Sequence, residues 1–323
     1  MKQLSKETVV WRNVGPEESG QRIDNYLMRW LKGVPKSHVY RILRSGEVRV
    51  NSGRIGPDYR VQDGDRIRIP PIRTAQPAST PGLKPGPRVH LEILFEDAAL
   101  LVVNKPSGLA VHGGSGISLG VIEQLREARP NAKFLELVHR LDRDTSGVLM
   151  LAKKRSALVT LHEQLREGRV HKIYLALVSG HWRDAKRAVK APLQKYLLAN
   201  GERRVAVKDD GQAAHTVFRL RDAWPHAQPP FSLLEAELKT GRTHQIRVHL
   251  AHLGFPIAGD DKYGDFVLNK TLKKQLLKRM FLHAYQAGII HPDSAQPVRF
   301  EAPLPVDLQH FIDVLSVEHA QTV

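Results

Sequence analysis

A charged cluster between two apolar runs carries the side chains best suited to chemistry. It lies in FLELVHRLDRDTSGVLMLAKK, residues 134–154. If the first run is a strand that continues through Asp142, Arg140 and Asp142 project from one face and Leu141 points back into the protein. An arginine beside a carboxylate favours the ionised form that a nucleophile or a base requires. The pattern predicts Asp142 as a reactive group; the alternative is a charged hairpin in which Asp144 bonds to its own turn backbone.

A second segment, LKTGRTHQIRVHLAHLGFPIAGDDKYG at residues 238–264, joins a basic turn to an apolar helix. The turn TGR leads into a helix near Thr243, whose hydroxyl can cap it. Arg242 then lies at the mouth of the helix, available to a carboxylate or a phosphate. Ile246 is the first of the apolar residues that follow.

Three histidines in this segment raise the question of a metal site. His249 and His252 are one helical turn apart, and His244 precedes them. A well-placed third ligand and a glutamate in the metalloprotease arrangement are both missing from the segment. We therefore expect ordinary hydrogen-bonding histidines and no metal.

A third segment, VHKIYLALVSG at residues 170–180, alternates in a way that indicates a half-buried strand. Lys172 and Tyr174 share one face of it. One interpretation of Tyr174 is a core residue. The other is a ring that stacks on a base and a hydroxyl that transfers a proton.

The elements that must position these residues form a large body of alternating strands and helices. The strand-like runs are LEILFED, ALLVVN, VLMLAKK, KIYLALVSG and LLEAEL, and helical stretches fall near 118–129, 155–167 and 243–253. Numerous strands with mixed connections predict an α+β fold with a mixed, largely antiparallel β-sheet. The glycine-rich GGSGISLG lacks both a P-loop lysine and a Rossmann spacing, which disfavours a doubly wound nucleotide-binding fold.

A smaller module precedes this body. We predict a module at residues 18–70, a proline-rich linker at 71–88 and the large body at 89–323. The first helix of the module carries an apolar stripe, and its second helix runs from Lys36 to Ser45 with Ser37 as a candidate N-cap. The stripe consists of Ile23, Tyr26, Leu27 and Trp30.

The second helix of the module also has a basic side. Its buried face is supplied by Val39, Ile42 and Leu43, so Lys36, Arg41 and Arg44 remain outside. Basic side chains on one helix pair with the phosphates of RNA. A solvated charged face with no ligand is the alternative.

The charge of the whole chain points to the same class of partner. The 49 Lys and Arg exceed the 33 Asp and Glu by 16, an excess that attracts polyanions, above all nucleic acid. Membrane binding would need a basic amphipathic helix or a lipid anchor, and neither is found. The chain contains no cysteine, and its start lacks the apolar core of a signal peptide, so we expect a soluble, cytoplasmic protein.

Residues 18–70 resemble the S4 RNA-binding domain. The resemblance is carried by RIDNYL, the helix SHVYRILRSGEVRVN, and VQDGDRI. It implies binding to structured RNA through the basic helix and the turn that follows it.

The large body resembles the pseudouridine synthase family, in the branch that modifies large-subunit ribosomal RNA and some tRNAs. The matching motifs are VNKPSGLAVHGG, HRLDRDTSGVLMLAKK, KIYLALV and TGRTHQIRVHLAHLGFPIAGDDKYG, in that order. Together with the S4-like module they extend over most of residues 18–290. The family isomerises uridine in RNA: the N1–C1′ bond is broken, the base rotates, and it is rejoined through C5 without a cofactor.

The resemblance also implies roles for single residues. Asp142 matches the catalytic aspartate, and Arg140 matches the arginine that enters the RNA helix as the uridine flips out. Tyr174 matches the tyrosine that stacks on the target base. Arg242 is expected to form a salt bridge with the aspartate, and Ile246 to supply an aliphatic contact to the base.

Two other functions compete with this one. A non-catalytic RNA-binding factor in ribosome assembly would explain the charge and the S4-like module, but it gives no purpose to Arg140, Asp142 and Arg242. A glycoside or nucleoside hydrolase commonly needs two carboxylates, and one is well placed here. We expect a monomeric RNA isomerase, with attack on C1′ and removal of a ribose proton both open as the first step.

Overall fold

The computed structural model describes residues 8–31, 34–72, 89–113, 119–274 and 277–322, with side chains up to residue 317. The chain divides into two compact units, residues 1–84 and 85–323. From residue 73 onward the linker predicted at 71–88 lies outside the described residues, as do residues 114–118 of the glycine-rich loop. The linker boundaries therefore stay a prediction.

The first unit combines a small antiparallel sheet with two helices. Its elements are β1 (Val10–Asn13), α1 (Ile23–Trp30), α2 (Lys36–Arg44), β2 (Arg49–Val50), β3 (Gly53–Arg54) and β4 (Arg66–Ile69). The strands are ordered β1-β4-β2-β3. The apolar stripes predicted for both helices pack into one core with residues of the strands. The predicted cap was wrong, because α2 begins before Ser37 and its N-cap is Pro35, whose ring fixes φ at −58° in an extended conformation.

The second unit contains the remaining strands and helices. They are β5 (Glu92–Glu96), β6 (Leu100–Lys105), α3 (Val121–Glu127), β7 (Glu136–Leu137), β8 (Ser146–Ala152), α4 (Arg155–Arg166), β9 (His171–Ser179), β10 (Lys186–Lys190), β11 (Leu193–Leu197), β12 (Arg203–Val207), β13 (His215–Trp224), β14 (Phe231–Leu238), α5 (Gln245–His252), α6 (Phe266–Lys274), β15 (Leu282–Ile290), β16 (Pro297–Glu301) and α7 (Val306–Thr322).

A single ten-stranded sheet organises this unit. Eight strands follow the order β10-β13-β14-β9-β15-β8-β6-β5, while β16 pairs with β15 and β7 pairs with β8. Among the described strands only β8 and β15 run parallel, and β11 and β12 form a separate antiparallel pair. The predicted α+β fold with a mixed, largely antiparallel sheet is confirmed.

The central strands are apolar because both faces of the sheet are covered. Every residue of β8 is buried. Leu149 and Leu151 pack into one core with α3, α5, α6 and α7, whereas Val148 and Met150 pack on the opposite side with α4. The two-residue period of a strand thus divides one continuous apolar run between two cores. None of the described helices is long and apolar enough to cross a membrane.

One glycine permits the parallel contact at the centre of the sheet. Gly147 has φ +110°, and a Cβ built on it would lie 2.2 Å from the carbonyl oxygen of Ala284 in β15. Only a residue without a side chain allows this approach. Because Gly147 follows Asp142 by five residues, the contact fixes the point at which the charged segment enters the sheet.

Candidate active site

The predicted site residues of the second unit surround one cleft of about 560 Å³. Its lining comes from residues 138–142, Thr145, the end of α4, the start of β9, the turn between β14 and α5 with the first residues of that helix, and Leu282. The lining includes Arg140, Asp142, Tyr174, Arg242 and Ile246. The structure therefore brings together residues that lie up to about a hundred positions apart in the sequence.

The segment that carries Asp142 is a loop and not the strand predicted. β7 ends at Leu137, and the imidazole of His139 takes the place of a backbone partner, accepting a hydrogen bond from the Met150 amide at 3.1 Å. The predicted alternation still holds, since Arg140 is exposed, Leu141 is buried and Asp142 is half-buried. The carboxylate of Asp144 pairs with Arg143 at an exposed position.

This loop is held from behind by Lys105, at the end of β6. Its ammonium donates to the carbonyl oxygens of Pro106, Leu109 and Arg143 at 2.8, 2.8 and 2.9 Å. The side chain is fully buried, and burial lowers the pKa of Lys105 to about 7. Three carbonyl acceptors satisfy its three N–H donors, so the residue acts as an internal clamp.

Two further hydrogen bonds join the same segments. The amide of Gly108 donates to the carbonyl oxygen of Arg143 at 2.9 Å, and the hydroxyl of Ser107 donates to that of Asp144 at 2.8 Å. The motif NKPSG, residues 104–108, spans the end of β6 and the loop that follows it. Its contacts show that it supports the Asp142 loop from outside the cleft.

Asp142 forms its ion pair with Arg247, so the prediction that Arg242 would be the partner was wrong. The Nη1 group of Arg247 donates to Oδ2 of Asp142 at 3.0 Å. The same guanidinium makes two hydrogen bonds of 2.7 Å to the buried carboxylate of Asp260. Burial alone would lower the pKa of Arg247, but the hydrogen bonds and charges of Asp260 and then Asp142 outweigh it and raise that pKa.

The local geometry of the turn explains why Arg242 points elsewhere. α5 begins at Gln245 and not at Thr243, and its N-cap residue His244 adopts a left-handed φ of +54°. The Gln245 side chain accepts the backbone N–H of Arg242 at 3.0 Å and closes the turn. Arg242 is exposed at the rim, and its Nε donates to the carbonyl oxygen of Ala213 at 3.1 Å.

Apolar side chains form the floor of the cleft. Tyr174, Ile246 and Leu141 are buried there in the larger core. Burial first, and then the charge of Asp142, raises the pKa of the Tyr174 hydroxyl well above its usual value, so the phenol stays protonated near neutral pH. Lys172 shares the strand face of Tyr174 and lines the cleft, and burial lowers its pKa. The floor thus offers a flat ring, an aliphatic side chain and one amine.

His244 lies closest to the ion pair on the side of α5. Its Nε2 is 3.7 Å from Oδ2 of Asp142, and its Nδ1 is 2.8 Å from the hydroxyl of Tyr263. Arg247 lies 5.1 Å from the ring centroid of Tyr263, which places the guanidinium within cation–π range. Among the described residues, the hydrogen bond from Arg247 and the nearest contact of His244 both fall on Oδ2 of Asp142.

Sequence reasoning missed Arg247, Asp260 and Tyr263 although all three stand in the quoted segment. A signal was present in QIRVHL, where Arg247 lies between two apolar residues on a helix that must be buried. A buried arginine needs an acidic partner, and the closely following GDD supplies one.

Of the two histidines in α5, His249 makes hydrogen bonds through its ring. The two ring nitrogens of His249 lie 2.9 Å from the hydroxyl of Thr216 and 2.9 Å from the carbonyl oxygen of Ala191. His252 is exposed one turn further along. The part of the chain that the structure describes contains no group of three or more His, Cys, Asp or Glu arranged to hold a metal ion.

In the first unit, the basic residues predicted to bind RNA lie on the surface. Lys36, Arg41 and Arg44 are all exposed on α2. Arg41 forms an exposed ion pair with Glu47 at 3.2 Å, and the Arg44 guanidinium lies 5.9 Å from the ring centroid of Tyr40. Exposed pairs of this kind contribute little to stability, so these side chains are available to a ligand.

Comparison with known families supports both units. The family described as RNA pseudouridylate synthase matches residues 99–252, and the S4 domain matches residues 21–67. The ribosomal large subunit pseudouridine synthase C of Escherichia coli (strain K12) is 52% identical over 304 residues, which cover 93% of this chain and 94% of that protein. The protein of the same name from Pasteurella multocida (strain Pm70) is 51% identical over 312 residues, covering 96% and 94%.

Solved structures show the same likeness. Human RNA Pseudouridylate Synthase Domain Containing 1 superposes with a TM-score of 0.58 at 25% identity, covering 73% of this chain and 97% of that one. Human RNA Pseudouridylate Synthase Domain Containing 4 gives 0.56 at 27% identity, covering 70% and 93%. The sequence VHGGSGISLGVIEQLR at 111–126 resembles the C type of the large-subunit enzymes, and the names of the curated relatives confirm that resemblance.

Proposed function

The chain belongs to the RNA pseudouridylate synthase family and is therefore an RNA isomerase, and we propose that it converts specific uridines of large-subunit ribosomal RNA to pseudouridine with Asp142 as the catalytic residue. The observation that carries this proposal is the 3.0 Å ion pair between Asp142 and the buried Arg247, inside a cleft of about 560 Å³. The likeness to large-subunit enzymes over more than nine-tenths of the chain supports the choice of substrate.

The geometry of the carboxylate suits the first chemical step. Arg247 engages Oδ2, so Oδ1 is the oxygen that meets the ribose. It attacks C1′ and displaces the base as its N1 anion, or it removes the C2′ proton as the N1–C1′ bond breaks. The base then rotates, and C5 bonds to C1′ as the ester bond from Asp142 to C1′ breaks or, in the second route, as Asp142 returns the proton to C2′. The C5 proton is lost, and N1 gains one. Either route uses one ionised carboxylate and no cofactor.

The target uridine must leave the RNA stack before this step. Flipping a base out costs a few kcal/mol, and stacking on an aromatic ring returns roughly 1–3 kcal/mol per base. Tyr174 and Ile246 supply the apolar floor for the flipped base. Arg140, exposed at the rim, is the side chain placed to fill the gap left in the RNA helix. Arg242, at the same rim, is assigned to phosphate contact in place of the ion pair.

The S4 unit supplies binding that does not depend on the flipped base. Lys36, Arg41 and Arg44 lie together on α2 with exposed side chains. Contacts from such residues to phosphates release counterions and position the RNA without reading its sequence. We expect a monomer, acting in the cytoplasm, and light scattering of the purified protein tests the first of these expectations.

The experiment that tests the proposed function uses protein-free large-subunit rRNA followed by mapping of new pseudouridines. We predict that Asp142→Asn binds this RNA with unchanged affinity and forms no pseudouridine, because the variant keeps the shape of the side chain and loses its charge. Asp144→Asn is the matched control, since Asp144 pairs with Arg143 outside the ion pair, and it keeps most of the activity.

Two results would contradict the proposal. Equal activity of Asp142→Asn removes Asp142 from the chemistry. Wild-type protein that binds the RNA tightly but forms no pseudouridine at any position in it removes large-subunit rRNA as the substrate.

A further inference from the structure

The backbone of His244 is in an unusual conformation for its residue type. Its φ of +54° lies in the left-handed region, which residues with a side chain adopt far less readily than glycine does. Such strain persists where the surrounding structure fixes it, and it is frequent at functional sites. Here it brings an imidazole to the edge of the ion pair between Asp142 and Arg247.

The hydrogen bonds of Tyr263 determine which nitrogen of His244 carries a proton. The backbone N–H of Val205 donates to the Tyr263 hydroxyl oxygen at 3.0 Å. The hydroxyl proton is therefore directed to the other partner, Nδ1 of His244, 2.8 Å away. With Nδ1 as the acceptor, a neutral imidazole carries its own proton on Nε2.

The surroundings of His244 favour the neutral form of the imidazole. Burial first, and then the positive charges of Arg247 and Lys262, lower the pKa of His244, while the charge of Asp142 opposes this effect. The Nε2–H group consequently faces Oδ2 of Asp142 across 3.7 Å. That distance is longer than a hydrogen bond, but such contacts commonly tighten when the substrate binds.

We propose that His244 is a positioning residue whose Nε2–H group donates a hydrogen bond to Oδ2 of Asp142 in the RNA complex. Its tautomer is set by the hydrogen bond from the Tyr263 hydroxyl. The inference rests on the proposed function of Asp142. Two donors on one carboxylate oxygen, Arg247 and His244, fix the plane of the carboxylate and direct Oδ1 to the ribose. Hydrogen bonds run from Val205 in β12 through Tyr263 to His244, and the bond formed in the RNA complex would extend this chain to Asp142.

Single-turnover kinetics with saturating enzyme and rRNA test this proposal. Removal of the donor in His244→Leu lowers the rate constant by roughly 10- to 100-fold, the worth of a hydrogen bond to a charged group. Affinity for RNA is unchanged, because the effect falls on the chemical step. His244→Gln recovers most of the rate, since its amide accepts from Tyr263 and donates to Asp142. The matched control is His252→Gln, at an exposed position of the same helix.

A double-mutant cycle separates this role from simple packing. Tyr263→Phe keeps the ring against Val205 but removes the proton that fixes the tautomer, so it slows the reaction to a smaller extent. In the double variant His244→Leu with Tyr263→Phe, the rate equals that of His244→Leu alone, because Tyr263 acts through His244.

Independent effects of the two substitutions, whose fold-losses multiply in the double variant, would overturn the inference. So would an unchanged single-turnover rate in His244→Leu. Neither result touches the proposed function, which depends on pseudouridine formation by the wild type and its loss in Asp142→Asn.

Discussion

The guanidinium of Arg247 is shared between two carboxylates, and this single residue connects the stability of the site with its chemistry. Asp260 receives two of its hydrogen bonds and Asp142 one. Asp260 is 1% exposed and also accepts the backbone N–H groups of Lys262 and Tyr263. Its charge is therefore tolerated only while Arg247 is present.

We predict that Arg247→Gln destabilises the protein by roughly 3–5 kcal/mol, because it leaves the charge of Asp260 buried without a cation. The free energy of unfolding, measured in urea, gives the change. Arg242→Gln, at the exposed rim, serves as the control and stays within about 0.5 kcal/mol of the wild type. Equal losses in the two variants would show that Arg247 has no special structural role.

These two arginines also show which residues of the site could be predicted from the sequence and which could not. The resemblance to the family, carried by the order of the motifs, implied that Asp142, Tyr174 and Ile246 belong to one site, and all three line the same cleft. The choice between Arg242 and Arg247 depends on where α5 begins. That point is set by hydrogen bonds of the Gln245 side chain to residues nearly thirty positions away, such as Thr216. No local pattern encodes such a contact.

Among the elements, the seam, which is the short parallel pairing of β8 with β15, lies next to the loop that carries Asp142. The backbones meet at Gly147 and Ala284, and Oγ of the neighbouring Ser146 lies 2.9 Å from Nδ1 of His283. Ser146 also accepts a hydrogen bond from Arg279 at 2.6 Å. This seam joins the two strands in the middle of the sheet, directly after the loop that carries Asp142.

We predict that Gly147→Ala destabilises the protein by several kcal/mol, because the new Cβ would lie 2.2 Å from the Ala284 carbonyl oxygen. Gly168→Ala is the matched control. It also has a left-handed φ, +71°, but nothing lies within 4 Å of its Cβ, so only the backbone cost of about 1–2 kcal/mol remains. Thermal unfolding of both variants measures the difference, and similar midpoints would refute the steric argument.

The same seam predicts a dependence of stability on pH. Burial lowers the pKa of His283 to about 4. Below the unfolded value of about 6.5 the unfolded chain binds a proton that the folded one does not, so stability falls as the pH decreases towards 4. Between these values His283 contributes a slope of about 1.4 kcal/mol per pH unit.

Urea unfolding at a series of pH values measures that slope. His283→Gln lowers this slope by about 1.4 kcal/mol per pH unit, the contribution of one bound proton. His310→Gln, at an exposed site on α7, leaves the slope unchanged. His139, whose pKa burial lowers to about 3, retains its own contribution in both variants. An unaltered slope in His283→Gln would show that this residue is not neutral in the folded state.

Element positions were predictable where one apolar period continued over several residues. α4 and β9 lie within a residue or two of the stretches predicted for them. The strand expected through Asp142 failed because a side chain, His139, replaces the backbone in the ladder. The strand order was beyond prediction, since the parallel pairing of β8 with β15 joins residues more than 130 positions apart.

At the scale of the whole molecule, the chain consists of two units with separate cores, and the second unit contains the proposed active-site cleft. We expect the excess of 16 positive charges to attract RNA. Substitutions on the surface should therefore change the attraction of RNA to the positive charge without changing the reaction of the uridine in the cleft.

We predict that the triple substitution of Lys36, Arg41 and Arg44 by Gln in the full chain weakens RNA binding and flattens its salt dependence. Each lost phosphate contact lowers the slope of log K against log salt by about 0.7–0.9. The single-turnover rate at saturating RNA is unchanged, because the cleft is intact. Substitution of Lys186, Arg187 and Lys190 on β10 by Gln controls for net charge, and an equal change of slope there would show that α2 has no particular role.

The clamp formed by Lys105 has an evolutionary consequence. The loop that carries Asp142 is attached to the sheet by groups on its inner side, whereas the side chains proposed to meet the RNA lie on its outer side and on other elements. Substitutions at the rim of the cleft can accordingly change which RNA is recognised, while the contacts of Lys105 keep the Asp142 loop in place. A fold built this way can acquire new target nucleotides without having to reinvent its reaction.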